Sequence, residues 1–204
     1  MIKSPIQEVT NKLQYRAIGI VKGNYKPNNV DQLNRGTLTD EEGKILETVI
    51  LGKALALIKK YINLDKDYFW IVYPRNKSTN NLHLQVAGIW DPYQLNKIDK
   101  INPKKDPNEL LKELNLENNY FSIRGELIYV NSQKKEFIIK ICSSPTSKRL
   151  KNQTFKIIIE GEISLQFLNN FVSLDVIRDG NILRMVKYET VSYTHLTLPT
   201  KRIV

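Results

Sequence analysis

Few side chains in this sequence sit at spacings that could run a reaction. Asp40, Glu41 and Glu42 form an acidic run, but Gly43 follows at once and gives the segment the composition of a turn. Carboxylates in such a loop are solvated rather than poised as a general acid and base. Gly52-Lys53 starts like a phosphate loop, yet Ala54 comes next and the Gly-x4-Gly-Lys-Ser/Thr spacing is absent. Ser78 and His83 are close in sequence, with no third group to orient the base. His83 alternates with an apolar side and reads as a partly exposed polar residue. The single Cys142 lies in the apolar run FIIKIC and reads as a small buried hydrophobe. One cysteine excludes an internal disulfide framework and a cysteine-rich zinc site. The reading is therefore of a non-enzymatic protein, with no catalytic residue, no metal site and no cofactor.

What remains is charge placed beside aromatic rings. The formal net charge is +10. Cations fall on segments expected to be exposed: Arg16, Lys22 and Lys26; Arg35; Arg75 and Lys77; and Lys148, Arg149 and Lys151 in the loop PTSKRLKNQ. Tyr15, Tyr25, Tyr73 and Trp90 lie next to several of them. A cationic track with stacking rings is the chemistry of single-stranded nucleic-acid binding. The candidate contacts are Lys22, Lys26, Arg35, Arg75, Lys148, Arg149, Lys151, Tyr25 and Tyr73, with RNA favoured as the partner. The alternative is a protein-interaction or assembly factor whose basic surface is incidental, because Lys, Asn and Ile are all abundant, as an AT-rich genome would make them. No apolar run approaches the ~20 residues that span a bilayer, and the polar N-terminus does not read as a secretory signal, so the expected location is cytoplasmic.

Residues 191–200, VSYTHLTLPT, resemble at all ten positions the translation of a transposon-end adapter used in sequencing libraries, and KRIV reads as continued read-through. On that reading residues 191–204 are non-native, His195 is no ligand, and the chain is truncated before its own C-terminus. The remainder holds 29 basic and 21 acidic residues, a net +8.

The elements that must position these residues are mostly strands. Residues 15–25, YRAIGIVKGNY, alternate and are interrupted by Gly19 and Gly23, as in a strand bent to serve both halves of a barrel. Residues 35–51 read as a hairpin around DEEG. The best helix is 51–63, with Leu51, Ala54, Leu55, Ile58 and Ile62 on one face and Asn63 as its C-cap. YFWIVYP and the strictly alternating LHLQVAGIW follow as strands, the latter placing Leu82, Leu84, Val86, Gly88 and Trp90 together. Strand, strand, strand, helix, strand, strand is the element order of an OB-fold. Residues 93–118 are polar and proline-rich and read as a linker with a short helix near 107–115. Residues 119–190 return to strands, ending in a hairpin around Asp179-Gly180. The fold class is thus mostly β with one or two helices (α+β), as tandem small β-barrel, OB-fold-like units at 15–92 and 119–190.

RAIGIVKGNYKP (16–27), RGTLTDEEGKILETVILGKALALIKK (35–60) and FWIVYPR with LHLQVAGIWDP (69–92) resemble an uncharacterised protein family of cyanobacteria. The resemblance covers the N-terminal half clearly and the C-terminal half weakly. It implies a cyanobacterial setting and carries no mechanism.

Overall fold

A computed structural model describes residues 3–29, 31–76, 81–93, 105–143 and 153–191. Ten strands form one continuous sheet that closes twice. The first barrel uses β1 (Arg16–Asn29), β2 (Gln32–Asp40), β3 (Ile45–Ile50), β4 (Tyr68–Asn76) and β5 (Leu82–Trp90). Its pairings run β1–β2–β3–β5–β4 and back to β1, with β3 and β5 parallel and the others antiparallel. The helix α1 (Gly52–Tyr61) lies between β3 and β4. That is the OB topology.

The second barrel repeats it. Strands β6 (Tyr120–Asn131), β7 (Glu136–Ser143), β8 (Gln153–Glu160), β9 (Phe171–Asp179) and β10 (Ile182–Thr190) pair as β6–β7–β8–β10–β9 and back to β6. The parallel contact of β8 with β10 is a single pairing, Glu160 with Arg184. Where the first barrel has α1, the second has only a 3-10 turn at Leu165–Phe167. The chain is two OB folds in tandem.

The expected bend in β1 is a double hand-off. Residues 16–19 pair with β6, 19–23 with β4, and 23–29 with β2. At Gly23 a Cβ would stand 2.2 Å from the Thr39 carbonyl oxygen, so only glycine lets β2 close on β1 there. Gly125 holds the equivalent place in β6, where a Cβ would meet the Lys140 carbonyl at 2.3 Å.

Helix α1 is shorter than 51–63 and presents a narrower face. Ala54 and Ile58 are fully buried, while Leu51, Leu55 and Ile62 are half-buried. The C-cap is Ile62 rather than Asn63. Its last-turn Lys59 and Lys60 suit the negative end of the helix dipole. The alternation read in β5 also breaks. A bulge opposite Ile71 and Val72 inserts Ala87, so Ile89 rather than Gly88 follows Leu84 and Val86 into the main core. Trp90 thereby turns to the other side. There it packs with Ile20, Phe69, Leu110 and Leu111 beneath α2 (Pro107–Glu113). Asp106 caps α2 by accepting from the Asn108 amide, and Pro107 occupies the first turn.

The two barrels share more than a strand pairing. One buried apolar cluster runs from Val21, Leu38 and Trp70 in the first to Phe121, Ile139 and Leu174 in the second. Arg178 in β9 donates to Asp40 at the end of β2, both side chains being almost wholly buried, and also to Asn119 and the Gly180 carbonyl.

Candidate nucleic-acid interface

Side chains alternate across each strand, and the register decides which ones meet. Arg35 is opposite Val49, Val49 opposite Gln85, and Gln85 opposite Tyr73. These four form one row on the outer face of the first barrel. A second row holds Lys26, Thr37 and Glu47, and the pair Arg75 and His83 belongs to the same face. Lys26 and Arg35 are exposed. Strands two and three of an OB fold commonly carry its ligand face.

At Tyr73 and Arg75 this face runs into a groove of about 800 Å³ between the barrels. Tyr15, Arg16 and Ile18 lie at its base; Ile141, Cys142 and Phe155 come from the second barrel. Thr10, Asn11, Leu13 and Gln14 also line it. The Arg75 guanidinium carbon lies 3.7 Å from the centre of the Phe155 ring, a stacked cation–π pair that spans the two barrels. Burial lowers the Arg75 pKa, yet an arginine so placed remains charged at neutral pH. Tyr15 packs edge-on against Phe171 at 5.1 Å and donates to Glu126. Burial, followed by the Glu126 carboxylate, pushes its hydroxyl above the ordinary tyrosine range. The groove therefore offers two guanidinium groups and three rings, suited to phosphate contact and base stacking.

Of the residues singled out in the sequence, Arg75 and Tyr73 meet in this groove, and Arg35 and Lys26 share the face leading to it. Lys22 does not. It lies on the α2 side of β1, 2.5 Å from a Glu41 oxygen and over the Phe69 ring at 5.7 Å. Tyr25 is a core residue: it is 1% exposed, pairs inward with Leu38, and donates to the Leu33 carbonyl at 2.9 Å. It offers no stacking surface, because its odd position in β1 shares the inward side of Ala17 and Val21. Trp90 is likewise buried. Lys148, Arg149 and Lys151 lie outside the described residues, as do 192–204; the strand ends Ser143 and Gln153 that flank the basic loop are paired. Phe155 and Arg124 had no sequence signal of their own. Asp40, first of the acidic run, is a structural group whose carboxylate holds the Glu42 and Lys44 amides and Arg178.

Residues 17–97 match the family model of the PatR RNA-binding protein, N-terminal OB-fold domain. Residues 123–192 match the cyanobacterial OB-fold-like RNA-binding domain, C-terminal, of the same family. The two barrels are PatR-type OB-fold domains. The setting read from the sequence as cyanobacterial agrees with that family description. Taken with the fold, the matches make the chain a nucleic-acid-binding module. No curated protein matches it. Tyr73 and Arg75 belong to the N-terminal PatR domain and Cys142 and Phe155 to the C-terminal one, so the groove is built by the pair. No helix among the described residues is long and apolar enough to cross a membrane.

Proposed function

We propose that the protein binds single-stranded RNA, without catalysis, along a path from Lys26 and Arg35 over the outer face of the first barrel into the groove at Tyr73 and Arg75. The observation that carries this is the Arg75–Phe155 stack beside Tyr73, at the junction of two OB folds. Rings in a groove take unpaired bases, whereas the bases of a duplex are already stacked on each other. The RNA-binding description of both matching domain models supports the same reading.

The test is fluorescence anisotropy with a short mixed-sequence RNA at several salt concentrations. Roughly three to five phosphate contacts give a slope of log affinity against log salt of about −2 to −3.5. Arg75→Ala should weaken binding and flatten that slope. Tyr73→Ala should weaken binding by ~1–3 kcal/mol at an unchanged slope, because stacking releases no counterions. No binding at low salt by folded protein, or equal affinity for a duplex, would sink the proposal and leave a protein partner as the better account.

A further inference from the structure

Arg16 and Arg124 face each other directly across the β1–β6 pairing that joins the barrels. Arg124 is opposite Ser173, and Ser173 opposite Glu189, so the row continues across the second barrel. Arg124 is 9% exposed and Arg16 is half-buried. Among the described residues neither arginine forms an ion pair. The carboxylates at neighbouring positions attract the two arginines only through space and bond elsewhere, Glu189 with Lys187 at 2.7 Å and Asp175 with the Tyr120 hydroxyl at 2.6 Å.

The guanidinium groups instead bond to neutral oxygens. Arg16 donates to Ser122 Oγ and to the Gln7 carbonyl, each at 2.6 Å. Arg124 donates to Ser173 Oγ and to the Lys12 carbonyl, each at 2.6 Å. The Nε of each arginine is buried and without an acceptor among the described residues. Burial, and after it repulsion from Arg124, lowers the Arg16 pKa from its ordinary value. Two adjacent positive charges with hydroxyl and carbonyl partners lack what a phosphate supplies, a net negative charge with several acceptor oxygens.

Both carbonyls belong to residues 3–15, which cross the joint without pairing to any strand. This strap is held by those two bonds, by the Trp90 indole N–H donating to the Lys3 carbonyl at 3.0 Å, and by buried Pro5 and Ile6. Its residues Thr10, Asn11, Leu13 and Gln14 also line the groove, so it stands where an RNA strand would leave Arg75.

We propose that Arg16 and Arg124, with Ser122 and Ser173, form a phosphate site that the N-terminal strap closes, and that a phosphodiester of bound RNA opens it by replacing the Gln7 and Lys12 carbonyls. The phosphate chemistry stands on the arginine pair alone; the choice of RNA as its source rests on the function proposed above. The strap is then an internal competitor that sets the affinity of the groove.

Hydrogen–deuterium exchange of the full chain tests the displacement. Saturating single-stranded RNA should increase exchange in residues 3–14 while protecting β4. Removing residues 1–14 should tighten RNA binding by about tenfold, the size of one charge-assisted hydrogen bond, and steepen the salt slope by about 0.7. Trp90→Phe, which deletes the indole N–H that anchors Lys3 while keeping an aromatic ring in the core with Phe69 and Leu110, should move both readouts in the same direction should the deletion fail to fold. Adding Arg124→Gln to either variant should cancel the gain. Inorganic phosphate is the second probe: at equal ionic strength it should raise the melting temperature of the strap variants more than chloride does, and Arg124→Gln should abolish that difference. A phosphate effect without RNA binding would keep the site and sink RNA as its ligand. A strap unchanged or protected by RNA, with no phosphate effect in the variants, would overturn the proposal.

Discussion

Replacing Asp40 by Asn tests the joint between the barrels at its most costly point. The Asp40 and Arg178 side chains are 2% and 1% exposed and 2.5 Å apart. Asparagine keeps an oxygen for the Glu42 and Lys44 amides, now held by Asp40 Oδ1 at 3.0 and 2.8 Å, but removes the charge opposite Arg178. Arg178 then stays buried with only Asn119 and the Gly180 carbonyl as acceptors. Breaking a buried pair by removing one partner costs ~3–5 kcal/mol. For a chain of this size, ~2–4 °C per kcal/mol makes that a fall of roughly 6–20 °C in melting temperature. Adding Arg178→Met should recover part of the loss, since it removes the orphaned charge. Urea denaturation followed by tryptophan fluorescence and circular dichroism measures both. Trp70 and Trp90 report the first barrel, while the dichroism reports the whole sheet. The wild type should show coincident transitions, and Asp40→Asn should separate them, since the pair bridges β2 and β9. The same pair sets an acid limit. Burial alone would raise the Asp40 pKa, but the Arg178 guanidinium and the two amides outweigh it and leave it below its ordinary value. A depressed carboxylate adds stability that is complete above its unfolded pKa, about 4, and is lost as pH falls through the folded value. Wild-type stability should therefore decline below about pH 4, and Asp40→Asn should flatten that decline. A cost under ~1 kcal/mol, or an unchanged acid limb, would refute the view that this pair ties the barrels together.

Other outcomes follow from packing and charge. Ile58→Ala in α1 should cost ~2–5 kcal/mol, and Leu55→Ala clearly less, because only Ile58 of the two is fully buried; equal urea midpoints would contradict the observed helix face. Gly23→Ala should destabilise by at least ~1–3 kcal/mol, since the added methyl meets the Thr39 carbonyl and backbone must move; a neutral melting temperature would mean β1 and β2 are not so close. Lys22→Gln should leave RNA affinity within about twofold, given its pairing with Glu41 on the α2 side; a flattened salt slope in the anisotropy titration would return it to the binding path.

The architecture of the first barrel was legible because local signals agreed with the global fold. Gly19 and Gly23 mark where β1 changes partner, and the helix falls between the third and fourth strands. The second barrel was harder to read, since a 3-10 turn at Leu165–Phe167 stands where a periodic helix would have announced it. The inward side of Tyr25 could have been read from its parity with Ala17 and Val21; its nearness to Lys26 in sequence pointed the other way. The bulge at Ala87 was not legible, because one extra residue flips Ile89 and Trp90 without disturbing the hydrophobic pattern. The groove itself was only half visible. Tyr73 and Arg75 are sequence neighbours, but Phe155 reaches them from the other barrel, and Arg124 reaches Arg16 only through the β1–β6 pairing. Such contacts depend on register between distant segments, which residue type and spacing do not specify.

That pairing also imposes an order in time. Everything the first barrel needs for closure has been synthesised once β5 ends at Trp90. The stretch Arg16–Gly19, however, waits for Phe121–Arg124, roughly thirty residues later, or about 2–6 s at ~5–20 residues per second. During that interval a nascent chain carries a closed barrel with an unpaired strand edge that includes Ala17 and Ile18, the kind of edge that recruits a strand from a neighbouring chain. Ribosomes translating one message in succession bring such edges close together, so a pause between the barrels should raise the yield of aggregated protein, whereas a pause after β10 should not.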